Sequence, residues 1–242
     1  MLVFRGDTEK SRKGTDFHLK GRDKLRDKTT ATSHLEWDRR WKTEEGRSDW
    51  LEPEPEVMAA ARLLREAGAS RALDLGCGVG RHSIFLSSLG FSVFAFDASH
   101  AGIAFARSQA EAERIHFMIG LMTELPIEDC SLDYLLAWNV IYHGNRAIVR
   151  QSLDEIRRVL GPGGFFQGTM LSKSNDREGM GREIEPGTYI VEGAEDDKAN
   201  PHFYCNAADL TELFAGFDFI DLVDRKHETI GLNHWRFLAK RI

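Results

Sequence analysis

Long apolar runs are missing from this 242-residue sequence; none approaches the roughly 18 residues that a membrane-crossing helix needs. The N-terminus is too charged for a secretory leader, so a cytoplasmic protein with no membrane partner is expected. Cysteine is scarce. Cys77, Cys130 and Cys205 are odd in number and show no metal-ligand spacing, which argues against a disulfide framework and for a reducing compartment. No lysine follows the glycines at 76–80, so a phosphate-binding P-loop is excluded. Arg81 stands where the dinucleotide fingerprint GxGxxG needs its third glycine, which counts against an NAD-dependent oxidoreductase. What is present is 42% apolar and 29% charged, the composition of a globular domain of ordinary size with a full core.

Charge is unevenly placed. Residues 1–30 carry nine Lys or Arg against five Asp or Glu, so the rest of the chain holds a net −10 of the overall −6. A basic arm suits nucleic acid, but residues 1–33 lack apolar periodicity and interleaved aromatics, and a solvated tail ahead of a domain at 34–242 is expected.

The core of the pattern is Arg71 to His82. A short apolar run holding one acid, Asp74, breaks into glycines at 76, 78 and 80 and resumes with helical periodicity: buried strand, tight turn, helix. Glycine lets a ligand approach the backbone and opens positive φ. Upstream, Val57, Ala60, Ala61 and Leu64 mark a helix stopped by Gly68. Downstream, 91–97 is a second buried strand that closes on Asp97, 21 positions after Gly76. There a carboxylate can accept both hydroxyls of a ribose. Ser99 is the better cap for the helix that follows. Strands are expected at 115–119 and 131–139, and a helix through Val149, Leu153, Ile156 and Leu160 ends at the glycine-rich 161–164, a C′ glycine stop. A strand follows at 165–171, then a polar stretch at 172–201 that reads as a lid or binding loop, and alternating strands at 217–224 and 235–241 close the chain.

An acid, one residue, then GxGxG resembles motif I of class I S-adenosylmethionine-dependent methyltransferases, of the type 11/25-like group. The likeness continues in order over residues 55–171. It implies an α/β fold, a Rossmann-like seven-stranded, mostly parallel sheet with an antiparallel C-terminal hairpin and helices on both faces. It implies S-adenosyl-L-methionine as cofactor, with Asp74, Gly76, Cys77, Gly78 and Gly80 at its methionine end and Asp97 and Ala98 at the ribose. Met122 borders the adenine, although the acid usual in that loop is Leu121 here. Trp37 and Trp41 sit in a segment similar to the N-terminal one of thiopurine and tellurite-resistance methyltransferases, which makes Trp41 a cofactor-covering residue; both tryptophans also read as ordinary core.

The stretch after the fourth strand lacks both prolines of [DN]PP[YFW], so amino methylation of nucleic acids loses support. Asn139 falls on the cofactor side, and Tyr142 and His143 are the catalytic candidates, His143 as a proton acceptor, with His202 and Tyr204 facing the acceptor. The expectation is methyl transfer to a small-molecule acceptor. A non-catalytic S-adenosylmethionine-binding regulatory module and an RNA methyltransferase using the basic arm stand as alternatives. Monomer and dimer stay open.

Overall fold

A computed structural model describes residues 33–110, 114–226 and 232–242. The basic arm expected at 1–33 lies outside them except for Ser33. The chain opens with α1 (His34–Arg40), α2 (Glu44–Arg47), a 3-10 turn at Ser48–Trp50 and α3 (Pro55–Glu66). It then alternates through β1 (Arg71–Leu75), α4 (Arg81–Ser88), β2 (Ser92–Asp97), α5 (His100–Gln109), β3 (Ile115–Ile119), β4 (Leu132–Ala137), α6 (Arg146–Val159) and β5 (Leu160–Ser172). Such alternation builds a parallel sheet with helices on its faces, and the order is β3-β2-β1-β4-β5. The order reverses between β1 and β4, which places a crevice at the carboxyl ends of these two strands.

The central strands β1 and β4 are buried on both sides because both faces of the sheet are covered there. On one face Val57, Ala61 and Leu64 of α3 pack with Leu86 of α4, Ala72, Tyr134 and Leu136. On the other, Leu73, Leu75 and Leu135 meet Val149, Leu153 and Ile156 of α6. Asp133 pins the entrance of the central strands by accepting from the backbone N–H groups of Ser70 (2.8 Å) and Arg71 (2.9 Å).

The final hairpin is present. β10 (Asn233–Arg241) runs antiparallel to β5, and β9 (Phe217–Lys226) antiparallel to β10, completing the seven strands expected. Three more strands were not foreseen: β6 (Arg182–Glu185), β7 (Thr188–Ile190) and β8 (His202–Cys205). The stretch at 172–201 is therefore not all loop. β8 pairs in parallel with Leu171 and Ser172 at the end of β5, and β7 lies antiparallel to β8. Strands of three or four residues are too short for alternation to show. After β8 comes α7 (Ala207–Leu213), opened by a capping box between Asn206 and Asp209.

The stop at 161–164 is not a C′ glycine. Leu160, after α6, is already extended (ψ 137) and Gly161 is not left-handed, so the chain passes straight from helix into strand; Gly163 takes the positive φ, at 77°. By contrast Gly68 ends α3 with φ 100°, as its position suggests.

Candidate active site

The glycine turn between β1 and α4 owes its shape to positive φ at Gly76 (68°), Gly78 (52°) and Gly80 (85°). It is tied to the end of β2. Gly76 and Cys77 donate their N–H groups to the carbonyl of Phe96, at 2.7 and 3.1 Å. Asp97 takes the N–H of Gly78 on Oδ2 (2.8 Å) and that of Ser99 on Oδ1 (2.7 Å). Burial pushes this carboxyl up, while these backbone donors pull it back toward the ionised form. Each carboxylate oxygen accepts more than one hydrogen bond, so acceptor capacity remains for hydroxyls of a ligand. Ser99 is the cap of α5, its Oγ accepting from Gly102 N–H at 2.9 Å.

Asp74 lies behind the turn. Its Oδ2 accepts from Ser83 Oγ at 2.6 Å, and it does not line the cleft. Burial pushes its carboxyl up to about 6 despite the Ser83 hydrogen bond. The consequence for stability has a definite sign. Below the ordinary 3.8 the group is protonated folded and unfolded, and it costs nothing. As pH rises from there to about 6 the unfolded chain ionises first, so stability is lost, with the full penalty above that range. Two pKa units correspond to on the order of 3 kcal/mol. Asp74→Asn is expected to gain stability relative to the unsubstituted protein as pH rises from 4 to 7, read from urea midpoints; a difference independent of pH would contradict this assignment.

A tryptophan cluster covers the turn. Trp37 stacks on Trp41 (centroids 5.0 Å), and Trp50 meets both edge-on at 5.2 and 5.8 Å. Arg81, paired with Glu54 at 3.1 Å, lies over Trp50. Trp41 rests where side chains at Gly78 and Gly102 would stand, 3.3 and 2.9 Å from the Cβ either would carry. The cap is held by Asp38, which accepts from Ser99 Oγ (2.9 Å) and Ala101 N–H (2.8 Å) at the start of α5. Trp41 is therefore buried against the turn and also lines the cleft.

The cleft between these parts has a cavity volume of about 110 Å³. Of the residues singled out from the sequence, Gly76, Cys77, Gly78, Asp97, Ala98, Leu121, Met122, Asn139, Trp37, Trp41 and His143 line it. Asp74, Gly80, Tyr142, His202 and Tyr204 do not. Gly80 is instead a packing glycine, its Cβ position 2.7 Å from Ala106 Cβ. Asn139, at φ 60°, is fixed by Thr169, which accepts the Asn139 N–H (2.8 Å) and donates to its Oδ1 (2.9 Å). Its Nδ2 and the indole nitrogens of Trp37, Trp50 and Trp138 are buried donors without a partner among the described residues, and all four residues line the cleft. Donors in that state call for a ligand rich in acceptors. S-adenosylmethionine, with a carboxylate, ribose oxygens and adenine nitrogens, fits that set. Trp50, Trp138 and Arg81 were missed as lining residues because nothing in their local spacing separates them from core or surface.

At one end of the cleft His143 meets the insertion. Its Nδ1 lies 2.9 Å from the carbonyl of Val140 and its Nε2 3.4 Å from Asp197 Oδ2. His202, on β8, repeats the arrangement: Nδ1 2.9 Å from the carbonyl of Asn200, Nε2 3.1 Å from the same Oδ2. A bridge between the His143 and His202 backbones brings them together. Burial, aided by Lys198, pushes the His202 imidazole down to about 4. Burial would raise the Asp197 carboxyl, but the two histidines and Lys198 outweigh it and hold it well below the carboxylate range. Tyr142 lies behind this group with its ring against those of His143 and His202. Burial pushes its phenol well above 10, which leaves it a protonated packing residue. Tyr204 is buried against Tyr189.

A parallel sheet in this order with an antiparallel hairpin, a glycine turn after β1 and an acid at the end of β2 define the class I fold of S-adenosylmethionine-dependent methyltransferases. Residues 72–164 match the family model described as a methyltransferase domain. A Mycolicibacterium smegmatis protein named "Probable S-adenosylmethionine-dependent methyltransferase" is 31% identical over 184 residues, covering 74% of this chain and 61% of the relative. Haemophilus influenzae TehB, named as an enzyme of the same type, is 29% identical over 112 residues, 46% of this chain and 38% of the relative. The chain thus spans about half the length of these curated relatives. The Burkholderia thailandensis 1,6-didemethyltoxoflavin-N1-methyltransferase, solved with its substrate and S-adenosylhomocysteine, shares the fold at a TM-score of 0.62 and 21% identity, over 86% of this chain and 87% of that one.

Proposed function

We propose that this protein transfers the methyl group of S-adenosylmethionine to a small-molecule acceptor. The observation that carries the proposal is the link from the left-handed glycine turn to Asp97 through Gly78 N–H, set in a cleft whose unpartnered donors suit that cofactor. The turn would hold the methionine end, Asp97 the ribose, and Met122 with Leu121 the adenine. When bound, the cofactor supplies an electrophilic methyl group on a positively charged sulfur.

The work left to this chain is positioning. An acceptor held about 3 Å from the methyl group with a lone pair in line needs little further assistance. The cap formed by Trp37, Trp41 and Trp50 covers one side of the cleft, and His143 links its other end to the β6–β8 insertion. The net −10 of residues 31–242 is unfavourable to a nucleic-acid substrate. His143 lines the acceptor end of the cleft, with Nδ1 at the Val140 carbonyl and Nε2 at Asp197.

The test is incubation with methyl-labelled S-adenosylmethionine and a panel of thiols, phenols, carboxylic acids and amines, reading labelled product and S-adenosylhomocysteine together. Turnover of one class supports the proposal. Cofactor binding with no transfer to any class would replace it with a non-catalytic binding module.

A further inference from the structure

We propose that His143, Asp197 and His202 form a site for one divalent transition-metal ion, with zinc the best chemical fit. Three observations converge on it. The ligand atoms His143 Nε2, His202 Nε2 and Asp197 Oδ2 lie within 4.8 Å of one another. The two nitrogen–oxygen separations, 3.4 and 3.1 Å, are those of ligands sharing one tetrahedral ion, since bonds of about 2.0 to 2.1 Å at tetrahedral angles put ligand atoms roughly 3.3 Å apart. Both imidazoles also have Nδ1 on a backbone carbonyl, Val140 for one and Asn200 for the other. Metal-ligating histidines are oriented in this way, which leaves the Nε2 lone pair for the ion.

Two imidazoles and a carboxylate select zinc or iron(II) over magnesium, and three protein ligands leave a position open. Lys198 Nζ is 3.2 Å from the same Oδ2 and must swing aside when the ion binds.

His143 also lines the cleft, so an ion held by this group would border its acceptor end. The use of the ion rests on the methyltransferase reading; its binding does not. An acceptor hydroxyl or thiol taking the open position would give up its proton to solvent more readily, because the ion stabilises the anion. The oxygen or sulfur then forms its bond to the methyl carbon as the carbon–sulfonium bond breaks. That sulfur leaves as a neutral thioether, and charge and atoms balance.

The test uses the full chain stripped with a chelator. Zinc is titrated by calorimetry and cobalt(II) by visible absorption, with S-adenosylhomocysteine binding measured alongside as a separate check on the cofactor site. One zinc per chain at micromolar affinity or tighter is expected, with tetrahedral cobalt bands. Asp197→Asn and His202→Ala should each weaken zinc by about 100-fold or more, and Lys198→Met should tighten it. Asp197→Asn, nearly isosteric, keeps the test open if His202→Ala fails to fold. No stoichiometric zinc, zinc binding indifferent to Asp197→Asn, or preference for magnesium would each overturn the proposal. Loss of S-adenosylhomocysteine binding would instead count against the cofactor reading.

Discussion

Asp97→Asn is expected to weaken S-adenosylhomocysteine binding by about 100-fold, close to 3 kcal/mol. The carboxylate accepts from Gly78 N–H on one oxygen and Ser99 N–H on the other. An amide has one oxygen, so its NH2 must face one of these backbone donors. A buried donor deprived of its acceptor costs about 1 to 3 kcal/mol. Two things fail together: the glycine turn loses its tie to β2, and the ribose hydroxyls lose an anionic acceptor. Calorimetric titration of both proteins gives the ratio. The thermal midpoint of the free proteins shows how much of the loss is the turn. An affinity change under about threefold would mean that Asp97 is only a strut.

Gly76→Ala should cost about 2 to 5 kcal/mol of folding stability. A side chain at φ 68° is strained by about 1 to 2 kcal/mol. Its Cβ would also overlap the Val140 side chain, with Cγ1 at 2.6 Å, and overpacking of this kind adds about 1 to 3 kcal/mol. The turn has little freedom to yield, because the N–H of Gly76 is already on the carbonyl of Phe96 at 2.7 Å. Gly76→Ala with Val140→Ala should recover the packing part alone and leave the conformational part, which urea unfolding of the single and double variants would separate. A single-variant loss below about 0.5 kcal/mol would contradict the close approach of β1 and the segment after β4.

These two residues were legible because their signals are local. A glycine turn after a buried strand and an acid at the end of the next strand occupy fixed places in a βαβ unit, so Gly76 and Asp97 could be placed from spacing. Asp74 was legible as part of the same motif, but its direction was not; the structure turns it toward Ser83, behind the turn. The other end of the cleft depends on long-range pairing. His202 reaches His143 only because β8 adds to the end of β5, and Asp197 comes from an acidic run whose composition reads as loop. Trp50 joins Trp37 and Trp41 through a chain reversal that periodicity does not record. A shared site assembled from residues 143, 197 and 202 has no short spacing to betray it. This is why metal ligands were not foreseen.

The most direct measurement of cofactor binding is a calorimetric titration of the full chain with S-adenosylmethionine, S-adenosylhomocysteine and NAD. One site per chain for each sulfur compound at micromolar strength, about −8 kcal/mol, with no heat from NAD, is the predicted result. Binding of NAD, or of neither sulfur compound, would contradict the account.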